Sequence, residues 1–160
     1  MTSKDLAAAS SARRSGHKTF STEQLLPLLR VSLGDWQRDS LEKPMQRRVA
    51  GRVSALSAEY SRGSQSASVG VNDAGQPSTV VAQWSGGPVE RTIEGGREKS
   101  YKADGRVVTE TVRDANHEAS VVFTLANGVS VVAMSQTADT AALKSLIETM
   151  DLASAEKLKR

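Results

Sequence analysis

Few side chains in this chain could do chemistry, and they are scattered. Histidine occurs twice, at His17 and His117. A catalytic or metal-binding histidine needs a partner at helical or hairpin spacing, and neither has one. Both read as solvent-exposed, His17 in a polar N-terminal arm and His117 in a turn. Cysteine is absent, which removes disulfides, thiolate metal sites and cysteine nucleophiles together. No strained turn of the nucleophile-elbow type is present. The pairs Gly86-Gly87 and Gly95-Gly96 lack the spacing of a phosphate cradle and read as turns. Among the acids, Glu90 and Glu94 are one helical turn apart, but Thr92 and Gly95-Gly96 argue against a helix there. Glu98 and Glu110 are expected to lie across a hairpin from one another. Paired carboxylates act as acid and base only inside a cleft. With Lys99, Lys102 and Arg106 nearby, cross-strand salt pairs are the better reading. The sequence predicts no catalytic residue, no metal ligand and no cofactor, and the chain is expected not to be an enzyme.

Two tryptophans remain. Trp84 sits before Ser85-Gly86-Gly87-Pro88, where the glycines keep the segment adaptable, and tryptophan is favoured at interfaces. Trp84, Gly86 and Gly87 are therefore the candidate partner-binding residues. Core burial is the competing reading for Trp84. Trp36 is read first as a cover for a sheet and second as a partner anchor.

Charge narrows the partner. The formal net charge is +3, with a pI near 9.4. The basicity is confined to the chain before Gly63, which holds eleven Lys and Arg against six Asp and Glu. From Gly63 onward the balance is ten against twelve. A nucleic-acid site combines clustered charge with aromatic stacking or a groove-entering helix. Here the segment Arg47-Arg48-Arg52 is short, Lys144 shares its helix with Glu148 and Asp151, and Tyr60 and Tyr101 suit core or rim equally. Nucleic acid is not the expected partner; protein is. No apolar run approaches the roughly 18 residues that span a bilayer. Residues 1–20 lack the apolar centre of a signal peptide. The expected location is the periplasm or cell envelope if a leader has been removed, and the cytoplasm otherwise.

These residues are positioned by elements legible from pattern. Residues 1–20 are rich in Ser, Ala and Arg with no apolar periodicity, and read as a disordered basic arm. Residues 21–160 read as a single domain. Ser21 and Gln24 have capping-box spacing, but Pro27 permits only a short turn before extended chain. Val31, Leu33 and Trp36 continue that cover, and the charged stretch from Asp35 to Arg48 is broken by Pro44. Arg52 to Tyr60 reads as a strand with Leu56, Ala58 and Tyr60 on one face. Ser66 to Asn72 is a second, with Ala67, Val69 and Val71 inward. Ser78 to Trp84 suits a capped helix or a strand. Val89 to Glu94 is a short strand. Arg97 to Ala103 and Arg106 to Asp114 flank the turn signal Asp104-Gly105. Val108 and Val112 share a face with Glu110 between them. Two alternating runs meet at Asn127-Gly128, whose residues tolerate the positive φ of a tight hairpin. Thr137 or Asp139 then caps a helix whose Leu143, Leu146, Ile147 and Met150 form one apolar stripe. The sum is an α+β domain: an antiparallel meander of about six strands packed against a C-terminal helix, with a short N-terminal helical or extended cover.

The order of motifs resembles an uncharacterised group of small bacterial envelope proteins, many of them lipoproteins. The residues that carry it are Leu26-Pro27 with Arg30, Ala58-Glu59-Tyr60, Asn72-Asp73-Ala74-Gly75 and Tyr101-Lys102-Ala103-Asp104-Gly105-Arg106. Val121-Val122, Val131-Val132, Ile147 and Asp151-Leu152 complete it. The order is also similar to the PsbP-like α+β fold, whose members serve mostly as accessory or binding proteins. The resemblance implies a non-enzymatic binding or accessory protein of the envelope, acting through protein contacts. It assigns no catalytic residue. Two alternatives stay open: an immunity or inhibitor protein against a secreted toxin, and a small-ligand carrier or hydrolase with an unrecognised site. The oligomeric state is left open.

Overall fold

A computed structural model describes residues 19–42, 48–49, 52–53 and 56–159. Residues 1–18 of the proposed basic arm, His17 among them, and Pro44 and Arg47 lie outside those residues. The described chain is mostly antiparallel sheet with a few short helices. Strands β1 (Ser32–Leu33), β2 (Trp36–Glu42), β5 (Leu56–Arg62), β6 (Gln65–Asp73), β7 (Val89–Ile93), β8 (Gly96–Ala103), β9 (Arg106–Arg113), β10 (Glu118–Thr124) and β11 (Val129–Ser135) form one nine-stranded sheet. Its order is β1-β2-β5-β6-β11-β10-β9-β8-β7. A separate two-stranded pair, β3 (Arg48–Val49) and β4 (Arg52–Val53), packs near β6 and β11.

Nine strands replace the expected six, for local reasons. The charged stretch from Asp35, to which the sequence assigned no strand, contains β2, whose Trp36 is buried while its neighbours face water. The strand expected from Arg52 to Tyr60 is divided, β4 lying in the small pair and β5 in the main sheet. Nor is the sheet a simple meander. After β6 the chain passes through helix α2 (Thr79–Gln83) to the far edge, then returns strand by strand until β11 pairs with β6.

The turns show how residue chemistry sets pairing. Asp104 and Gly105 both have positive φ, so Ala103 pairs directly with Arg106. At Asn127-Gly128 the expected two-residue turn is corrected. Gly128 alone has positive φ, its N–H donates to Leu125 O at 3.0 Å, and Leu125 N–H donates to Val129 O at 2.8 Å. This is a longer loop closing on one left-handed glycine, held by Asn127, whose Nδ2 donates to Ala155 O at 2.8 Å.

One sheet face is covered. Helix α3 (Thr140–Glu148) starts at Asp139, which accepts from Ala142 N–H at 2.9 Å. Its Leu143, Leu146 and Ile147 are fully buried against β9, β10 and β11. Thr137 does not cap it; its hydroxyl accepts from Ser66 N–H instead. The expected single C-terminal helix is two helices, because Asp151 caps a new one, α4 (Leu152–Glu156), through Ser154 N–H. At the other end the capping box of Ser21 and Gln24 forms and opens α1 (Thr22–Leu25). Pro27 then tightens the chain into a 3-10 turn over Leu26–Leu28. Phe20, placed in the arm by sequence, belongs to the core, and its N–H donates to Asp73 Oδ2 at 2.7 Å.

Candidate binding surface at the β7 end of the sheet

The sheet ends differently on its two sides. At the β1 side the N-terminal cover packs its leucines into the core. Leu25, Leu29 and Leu33 are fully buried, while Val31 faces solvent. Tyr60 donates to Arg30 O at 2.7 Å, Arg38 Nη1 donates to Leu29 O at 2.6 Å, and Arg30 Nη2 donates to Thr149 O at 2.8 Å. Burial pushes the Tyr60 hydroxyl up to about 12, with Arg38 and Arg30 pulling weakly the other way.

At the β7 side the same face turns polar. Tyr101 and Val108 are paired, as are Lys99 and Glu110. The Tyr101 hydroxyl donates to Glu110 Oε2 at 2.5 Å. The ammonium groups of Lys144 and Lys99 lie 5.2 and 5.6 Å from its ring centroid, within cation–π range. Burial, then the Glu110 hydrogen bond, raise the Tyr101 hydroxyl above its ordinary value. The adjoining Tyr101 hydroxyl in turn raises Lys144. Beside this group opens a cleft of about 450 Å³, lined by Glu90, Arg91, Thr92, Arg97, Glu98, Lys99, Glu110, Val112 and Thr140. It is wide and mixed in charge, and its acids do not converge. Glu98 lies opposite Thr111, not Glu110, so the two carboxylates expected to face each other point to opposite sides of the sheet. Glu98 is paired with Arg91 at 2.8 Å, in line with the salt-pair reading.

The sequence-predicted site residues divide. Trp36 is 2% exposed, with Arg62 stacked 4.6 Å from its ring centroid, and offers no surface to a partner. Trp84 is half-buried at the end of α2. That helix forms because Ser78 Oγ accepts from Val81 N–H at 3.1 Å, settling an ambiguity left by the sequence. It packs on β9, and Lys102 Nζ donates to Val81 O at 3.0 Å. Lys102 alternates with Tyr101 along β8, so α2 lies on the face away from α3. The Trp84 indole N–H is shielded from water and has no acceptor among the described residues. Gly86 and Gly87 are exposed, Gly86 at φ +86° with open space around it. The loop they form leads straight into β7, whose first four residues are exposed, Val89 by 54%.

His117 is exposed at φ +52°, closing a 3-10 turn. Among the described residues no group of three or more acids and histidines is placed to hold a metal, and no helix is long and apolar enough to cross a membrane. The Tyr101–Glu110–Lys144 group was missed from sequence, although a signal existed. Glu110 interrupts an inward-facing Val108/Val112 stripe, and a charge on such a stripe needs a buried or half-buried partner. Searches against protein-family models, curated proteins and solved structures find no match to this chain.

Proposed function

We propose that this chain is a non-enzymatic binding protein that acts through protein–protein contacts at the β7 end of its sheet. The observation that carries the reading is an outer strand, β7, whose first four residues are exposed and which is joined directly to the Trp84–Pro88 loop. The Trp84 N–H, which has no acceptor among the described residues, adds support, because a buried donor without an acceptor costs about 1–3 kcal/mol, and a small loop shift would present it to a partner carbonyl. A bacterial-envelope location belongs to the same proposal and rests on the motif resemblance alone.

The test is a pull-down from the native lysate with the full chain as bait, at low and moderate salt, compared with Trp84→Ala and Val89→Glu. One stoichiometric protein that survives moderate salt and is lost with either variant is the expected result. Capture indifferent to both variants would move the surface elsewhere, and no protein capture would overturn the reading.

A second reading, a carrier for a small charged ligand, is favoured by the mixed-charge cleft beside Tyr101. Thermal stabilisation of the chain by zwitterionic small molecules, abolished by Lys99→Ala, is its signature.

A further inference from the structure

Three rows of side chains cross the β7 end of the sheet. On the α3 face, Glu90 lies opposite Lys99, and Lys99 opposite Glu110. On the other face Arg91 lies opposite Glu98, joined to it at 2.8 Å. On the α3 face again, two residues further along β7, Thr92 faces Arg97, and Arg97 faces Val112. The charges alternate in sign from strand to strand, and each charged row stops at β7 with its last member exposed: an acid on one face, a base on the other.

Natural sheets usually block such an edge with a bulge, an internal proline or charged side chains. β7 has no bulge and no internal proline, and its exposed charges, Glu90 and Arg91, are of opposite sign and so repel neither an acidic nor a basic neighbour throughout. Its pairing to β8 runs unbroken from Val89↔Ser100 to Ile93↔Gly96, and the proline, Pro88, precedes the strand. The opposite edge strand, β1, is only two residues long. Nor does β7 suit a second copy of itself. Antiparallel self-pairing centred on Glu90 or Arg91 sets like charges opposite each other, and centring on Thr92 sets Glu90 against Glu94. Like charges directly opposite are destabilising.

We propose, building on the protein-binding reading, that β7 is the docking edge for an extended segment of a partner protein, which adds as an antiparallel tenth strand. Its chemistry follows from the rows it continues. An acidic residue lies opposite Arg91 and is followed by a basic residue opposite Glu90. Apolar residues flank this pair opposite Val89 and Ile93. The partner's backbone supplies the hydrogen bonds, and its side chains supply register. The cleft of about 450 Å³ opens beneath the α3 side of this edge and leaves room for the basic side chain beside Glu90.

The experiment is a titration of the isotope-labelled full chain, followed by amide NMR shifts, with the blocked peptide Ser-Val-Thr-Glu-Lys-Val-Ser. A control peptide has Glu and Lys exchanged. Two further versions are N-methylated at alternate residues, one in each frame. The expected result is saturable shifts in residues 85–93, roughly three- to tenfold weaker binding of the exchanged peptide, and loss of binding for one methylated frame only. Arg91→Glu weakens the first peptide by a similar factor. That variant exchanges the pair of Arg91, 65% exposed, and Glu98, 22% exposed, for like charges directly opposite each other, so unchanged amide shifts in β5 and β6 are required before its binding is read. Absence of shifts at β7 at millimolar peptide, equal binding of the exchanged peptide, or indifference to both methylation frames would each overturn the proposal. A stoichiometric partner from the pull-down whose capture ignores Arg91→Glu would remove the edge assignment and leave the protein-binding reading standing. Self-association of the chain through β7 would also overturn it.

Discussion

Tyr60 and Tyr101 stand on the same face of the same sheet, near its two ends, and their surroundings have little in common. Tyr60 is fully buried, bonded to a backbone carbonyl, and belongs to the same buried cluster as Trp36 and the leucines of the N-terminal cover. Tyr101 is half-buried, bonded to a carboxylate, with an ammonium on each of two sides. The difference lies in what covers the sheet. One end has a cover segment stapled down by Arg30 and Arg38. The other runs past the end of α3, and long charged side chains shield the face instead. A protein that must hold its shape and still present an edge can divide the two tasks in this way, with rigidity at one end and access at the other.

Breaking the closed end has the largest expected effect. Trp36→Ala removes a buried ring and leaves a cavity, so unfolding in urea should show a loss of about 3–5 kcal/mol. The equivalent test at the open end, Lys99→Ala, should stay within about 0.5 kcal/mol. A loss above about 2 kcal/mol for Lys99→Ala would erase the contrast.

Alkaline titration sharpens it. The folded-state pKa of Tyr60 lies above its unfolded value, so the fold favours the protonated hydroxyl. That contribution is complete below about pH 10 and is lost as pH climbs toward 12, a decline of roughly 2–3 kcal/mol. Urea midpoints measured at about pH 9 and about pH 11.5 should fall steeply for the native chain and less steeply for Tyr60→Phe. Equal slopes would mean that Tyr60 is not sealed.

Arg106 and Glu156 connect β9 to α4, with an ion pair at 2.6 Å whose side chains are one-fifth to one-quarter exposed. This pair raises the Arg106 pKa further. Arg106→Ala should cost about 1 kcal/mol, between the values for the two ends. Tyr101→Phe is smaller again, about 0.5–1 kcal/mol, because water can replace the lost donor at Glu110. Hydrogen exchange gives the same ordering without mutation: amides of β7 should exchange faster than those of β5 and β6.

Much of the architecture is legible in the residues themselves. Ala67, Val69 and Val71 alternate inward as expected, and Leu143, Leu146 and Ile147 form the expected buried stripe. Ser21 with Gln24 makes its capping box. Each of these depends on neighbours within about one turn or one hairpin. Even the pairing of Lys99 with Glu110 was recoverable, since a two-residue turn at Asp104-Gly105 sets the register and counting back reaches Lys99, not Glu98. β2 was not recoverable in this way: only Trp36 of its residues is deeply buried, so no alternation advertises it. The candidate surface was half legible. The loop at Gly86-Gly87 is a local feature, but its position at a sheet edge is not.

Local chemistry by itself determined where this chain turns, caps and alternates, because positive-φ glycines, side-chain caps and apolar periods act over a few residues. Tertiary structure alone decided which strand became the edge. The jump from β6 through α2 to the far side leaves β7 outermost, and β11 takes the place beside β6. Pairing between residues so distant in sequence is set by how the whole apolar face can be covered at once, and no short stretch carries that information.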